Sequence, residues 1–154
     1  LSIEVISTQN SKSQLPVRIQ LTTHLEQDGQ TEDHAFDEPG QLIRMDETTY
    51  LRYEEIDPET TAKTPVTLKI QKDGGIILTR GQGQMRLQLH FYLDQETDAV
   101  YSTPYGQIPI LTRTTRVKVE TQDQPVAGKI DVDYQLFTGQ EQLGKYQLRL
   151  IFQQ

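Results

Sequence analysis

Residues 84–93, Gln-Met-Arg-Leu-Gln-Leu-His-Phe-Tyr-Leu, constrain the fold more than any other stretch. Met85, Leu87, Leu89, Phe91 and Leu93 share one parity, and Gln84, Arg86, Gln88, His90 and Tyr92 share the other. Successive side chains on a strand point to opposite faces. A period of two sustained over this length therefore predicts a strand with one dry face and one wet face. The same alternation recurs. Val17, Ile19, Leu21, Thr23 and Leu25 are in phase within Leu15–Glu26, as are Val66, Leu68 and Ile70 within Pro65–Gln71. Lys129–Phe137 alternates Ile130, Val132, Tyr134 and Leu136, and Lys145–Phe152 alternates Tyr146, Leu148, Leu150 and Phe152. Further strands are expected at Ile3–Ile6, Gln41–Arg44, Thr48–Ile56, Ile76–Arg80, Ala99–Thr103 and Gln107–Glu120.

Turn residues punctuate these runs. Asp28-Gly29 and Asp73-Gly74-Gly75 are hairpin signals, because glycine accepts the positive φ that a tight turn demands. Asp57-Pro58, Pro104-Tyr105-Gly106 and Asp123-Gln124-Pro125 end other runs. Gly81-Gln82-Gly83 has the look of a bulge or corner. The acidic stretch 31–40 reads as a solvated loop broken at Pro39-Gly40. No long segment carries a 3.6-residue period with caps, so at most one short helix is expected. Consecutive antiparallel strands form a meander, and a long meander hides its edges most simply by closing. The expected fold is all-β: a single antiparallel up-and-down β-barrel of about eight to ten strands, with eight as the simplest closure. One domain spans 1–154, with residues 1–14 peripheral to it or flexible.

The chain has 154 residues, enough for one domain with a real core. A hydrophobic content of 34% suits a sheet whose alternate residues meet water. With 22 acidic and 15 basic residues the net charge is −7, which disfavours nucleic acid and anionic membrane surfaces as partners. Cysteine is absent, so a disulfide framework or thiolate metal site is excluded. No apolar run approaches the ~18–20 residues of a spanning helix. No basic-then-apolar leader is read at the start, which opens on Leu1 rather than Met. The expected setting is the cytoplasm.

Several segments, taken in order, resemble a known family. They are Thr49-Tyr-Leu-Arg-Tyr-Glu-Glu55, Thr64-Pro-Val-Thr-Leu-Lys-Ile70, Ile77-Leu-Thr-Arg-Gly81, Tyr101-Ser-Thr-Pro-Tyr-Gly106, Leu111-Thr-Arg-Thr114, Gly128-Lys-Ile-Asp-Val-Asp-Tyr134 and Tyr146-Gln-Leu-Arg-Leu150. The chain resembles the YwiB-like family of small bacterial proteins of unknown function over about residues 15–152. The resemblance implies a calycin-type, lipocalin-like barrel in a mainly Gram-positive bacterial cytoplasm. It implies no activity.

Polar residues on an apolar parity are where a barrel discloses a site. Glu55 shares the parity of Leu51 and Tyr53, and Arg80 that of Ile76 and Leu78. Arg113 and Thr115 share that of Leu111, Val117 and Val119. Glu55, Arg80 and Arg113 are therefore expected to point inward. Inward charges must pair or bind something charged, and arginine can fork onto a carboxylate or phosphate. The functional expectation is a polar cluster holding a small anionic or amphipathic ligand in the barrel mouth. Tyr53, Glu55, Arg80, Tyr101, Arg113 and Thr115 are its candidates, and Tyr134 and Tyr146 are further lining aromatics. The structural alternative pairs Glu55 with one arginine and leaves the other charge at the mouth in water. A filled barrel serving as a structural or protein-interaction module is the corresponding second function. Tyr101–Gly106 could form a mouth loop or a plain corner.

Enzyme chemistry is a distant third. His24, His34 and His90 show no metal-ligand spacing, and no cofactor motif occurs. The acidic run lacks calcium-loop spacing, Gly81-Gln-Gly83 is too short to cradle a phosphate, and Gly-x-Ser-x-Gly is absent. Glu54 and Glu55 face opposite sides of a strand and cannot act as a carboxylate pair.

Overall fold

The computed structural model describes residues 12–154. The strand expected at Ile3–Ile6 lies outside them. Ten strands follow one another: β1 (Lys12–Gln27), β2 (Gln30–Met45), β3 (Thr48–Ile56), β4 (Lys63–Ile70), β5 (Ile76–Gln82), β6 (Met85–Phe91), β7 (Glu96–Thr103), β8 (Gly106–Asp123), β9 (Val126–Thr138) and β10 (Glu141–Gln153). No helix occurs among the described residues. Each strand pairs antiparallel with its sequence neighbours, and β1 closes the ring against β10, from Arg18↔Gln153 to Glu26↔Lys145. This is the expected up-and-down barrel, at the upper end of the expected strand count. The turns after β1, β3, β5, β7 and β9 share one end, the upper mouth. Those after β2, β4, β6 and β8 share the lower end.

The alternation read from the sequence becomes the lumen. Ile19, Leu21, Leu42, Leu51, Leu68, Ile76, Leu89, Phe91, Ile130, Val132, Leu148, Leu150 and Phe152 are buried in one cluster that fills the barrel. Each such side chain stabilises the closed form by roughly 1.5–3 kcal/mol on burial. The turn after β1 is the expected one, with Asp28 and Gly29 both at positive φ, 52° and 78°.

Two segments depart from the sequence reading. The acidic stretch 31–40 is not a loop but the first part of β2, paired with β1 rung by rung from Gln27↔Gln30. Its polar composition hid it, because Glu32 and His34 are exposed on the inward parity and only Phe36 there is apolar. The second departure is a bulge on β8. Thr114 stands opposite Tyr134 and Arg116 opposite Asp133, leaving Thr115 as the extra residue. Above the bulge the inward set is Ile110, Thr112 and Thr114; below it Val117 and Val119 pack against the core.

β2 and β3 stay together only as far as Gly40↔Tyr53. The next rungs would set Pro39, which has no N–H, against Glu54, and Glu38 against Glu55. A missing ladder donor and opposed like charges both disfavour pairing, so the strands part. Gly40 sits at the fork, where a Cβ would collide with the Ile19 side chain and the Arg52 carbonyl.

Candidate functional site

The parting of β2 and β3 leaves Glu55 near the top of β3 with its carboxylate turned inward. Its Oε2 accepts a hydrogen bond from the Tyr53 hydroxyl at 2.7 Å and another from Arg80 Nη2 at 2.9 Å. The Glu55 side chain is 9% exposed and that of Arg80 38%, so the pair runs from the lumen wall toward solvent at the upper mouth. Both residues are where parity placed them. The Gly81 interruption, with φ of 90°, falls after Arg80 and does not disturb its register.

Burial raises the Tyr53 phenol well above the ordinary tyrosine range, and the Glu55 carboxylate beside it adds to the rise. Tyr53 is thus a fixed donor. Tyr134, from β9, is raised chiefly by burial as well, and the nearby Arg80 charge offsets part of the effect. Its ring lies 4.6 Å from Phe91 and stacks on Tyr146 at 4.9 Å, with an interplanar angle of 4°. Tyr134 and Tyr146 are therefore interior aromatics packed on each other.

Above the pair opens a cleft of about 460 Å³, lined among others by Lys63, Arg80, Met85, Leu87 and Tyr101. The register row Arg80↔Leu87↔Tyr101 carries its floor across β5, β6 and β7. Met85 and Ile108, both on the inward parity, rim the upper mouth at 53% and 43% exposure. Arg80 Nε is buried and has no hydrogen-bond partner, and neither do the buried hydroxyls of Thr112 and Thr114. An unsatisfied buried polar group costs about 1–3 kcal/mol.

The structure gathers Tyr53, Glu55, Arg80 and Tyr101 at one mouth. It does not bring Arg113 or Thr115 there. Arg113 faces outward, bonded to Glu96 at 2.8 Å through Nε and lying 4.9 Å over the Phe137 ring. Thr115 is the exposed bulge residue, its hydroxyl 3.3 Å from the Asp133 carbonyl. Both were misplaced because parity was carried backward from Val117 across the extra residue. Ile108 and Ile110 are even and Val117 and Val119 odd, and that conflict was the signal for a bulge. Thr112 and Thr114 were missed for the same reason. Among the described residues no three His, Asp or Glu side chains converge as metal ligands.

A closed ten-stranded barrel, packed below and carrying a tyrosine–glutamate–arginine chain beneath an open upper mouth, defines the structural class. The chain belongs to the family described as Domain of unknown function (DUF1934), whose model matches residues 19–150. It is similar to the uncharacterized β-barrel protein YwiB of Bacillus subtilis (strain 168), with 23% identity over 131 residues, covering 85% of this chain and 88% of the relative. The crystal structure of ywiB protein from Bacillus subtilis matches with a TM-score of 0.79 at 19% identity, over 94% of this chain and 96% of that one. The YwiB-like resemblance read from the motifs and the barrel fold are both borne out.

Proposed function

We propose that this is a non-catalytic binding protein of the cytoplasm that holds a small amphipathic anion in its upper mouth. The observation that carries the proposal is Arg80, which lines the cleft with its side chain 38% exposed although it is already paired with Glu55 through Nη2. Arginine stays ionised and still has donors to offer a carboxylate or phosphate oxygen. The charged side chains lining the cleft are Lys63 and Arg80, both cationic, in a chain of net charge −7. Met85, Leu87 and Tyr101 supply an apolar wall for the rest of the ligand. The volume lies within the usual range for small-molecule sites.

A second function, a structural or interaction module, draws on the packed lumen below Glu55, where Leu51, Leu68, Ile76 and Phe91 are essentially inaccessible. Native mass spectrometry of protein purified from its host separates the two. The expected spectrum shows a small-molecule adduct that is lost in Arg80→Gln while the variant remains folded by circular dichroism. A bare mass from gently handled wild-type protein would overturn the binding function in favour of the filled module.

A further inference from the structure

The fork between β2 and β3 opens a second hollow beside the mouth cleft, with Pro65 on the wall of both. From Gln30 to Pro39, β2 pairs with β1 alone among the described residues, because β3 leaves it after Gly40↔Tyr53. That is about 33 Å of unpaired strand edge. Glu54–Ile56, on the other arm of the fork, pairs with Lys63–Pro65 only. A hollow of about 520 Å³ opens at the apex, lined by Glu38, Pro39, Arg52, Glu54, Ile56 and Pro65 among others. An open edge offers backbone N–H and C=O groups to any extended chain that reaches it.

Charge decides which chain. The β2 edge carries Glu32, Asp33, Asp37 and Glu38, and the facing arm carries Glu54. Arg18 is engaged with Asp37 at 2.6 Å, and Arg52 lies 5.7 Å from the Tyr50 ring centroid. A second copy docked edge to edge would oppose acid to acid, which disfavours self-pairing. We infer that the fork binds an extended basic segment of a partner protein, with Lys or Arg at alternate positions, as an added strand along β2. Its alternate apolar residues would face the lumen side and meet the partly buried Phe36, and its basic residues would face the outer side, which carries Asp33, Asp37 and Glu54.

The test is fluorescence anisotropy of a labelled nine-residue peptide alternating Lys and Val, titrated with the full chain at low salt. A second peptide of identical charge carries N-methyl groups on alternate amides and cannot complete a ladder. Amide exchange of residues 30–39 is followed in parallel by NMR. The inference expects the N-methylated peptide to bind at least tenfold more weakly, Asp37→Asn with Asp33→Asn to weaken the parent peptide several-fold, and residues 30–39 to gain protection on binding. Equal affinity for both peptides would reduce the effect to ionic attraction and overturn the inference. So would no binding by either, or full protection of residues 30–39 before any peptide is added.

Discussion

Tyr53 and Tyr134 make the interior of the mouth sensitive to alkali. A folded-state pKa raised above the unfolded value means that the native state holds the phenolic proton more tightly. The stability so contributed is fully present below the free tyrosine pKa of about 10 and is lost as pH climbs toward the folded value. A spectrophotometric titration should therefore find Tyr53 and Tyr134 silent until the chain unfolds. Tyr53→Phe should lose the 2.7 Å bond to Glu55 at neutral pH, a cost of about 1–2 kcal/mol in urea denaturation, yet show a shallower decline of stability above pH ~10. A stability difference unchanged across the alkaline range would contradict this. At this scale the sequence was legible wherever the strand was regular. Glu55 and Arg80 could be paired from parity because β3 and β5 run unbroken to those residues, whereas Arg113 could not be placed because one supernumerary residue reverses the meaning of odd and even.

Strands β8 and β2 show what alternation conceals. In β8 the extra residue is confined to the partnership with β9, so removing Thr115 restores a one-to-one ladder with the same inward set. Deletion of Thr115 should leave a folded barrel, weakened by about 1–2 kcal/mol through lost local twist. Deletion of Gln135 from β9 should not fold. It would turn Ile130, Val132 and Tyr134 outward relative to Leu136, and burial of each is worth roughly 1.5–3 kcal/mol. Circular dichroism and thermal melting of the two deletions give the comparison, and equal tolerance would show that the bulge does not set the register. In β2 the problem was different. The acidic half is a strand only because β1 offers it a continuous hydrogen-bonding partner, and no composition rule sees that partner. Gly40, flagged in the sequence as a break, is instead a site of close approach between two strands.

The whole barrel depends on a seam between the two ends of the chain. Leu21 faces Leu150 across it and Ile19 faces Phe152, and all four are at most 1% exposed. Pairings this distant in sequence form after the local hairpins, because their loop-closure entropy must be met first. Leu150→Ala should therefore cost about 2–5 kcal/mol and express it mainly as faster unfolding, with the refolding rate little changed. Stopped-flow chevrons would report the partition, and a slowed folding arm would place the seam in the nucleus instead. During synthesis the consequence is temporal. β1 is made before the other nine strands, but the one that must lie on its far side is β10, so a growing chain carries a bare margin until β2 to β9 have been translated. A chain cut short before residue 145 would hold β1 to β9 as an unfinished ring with nowhere to fasten.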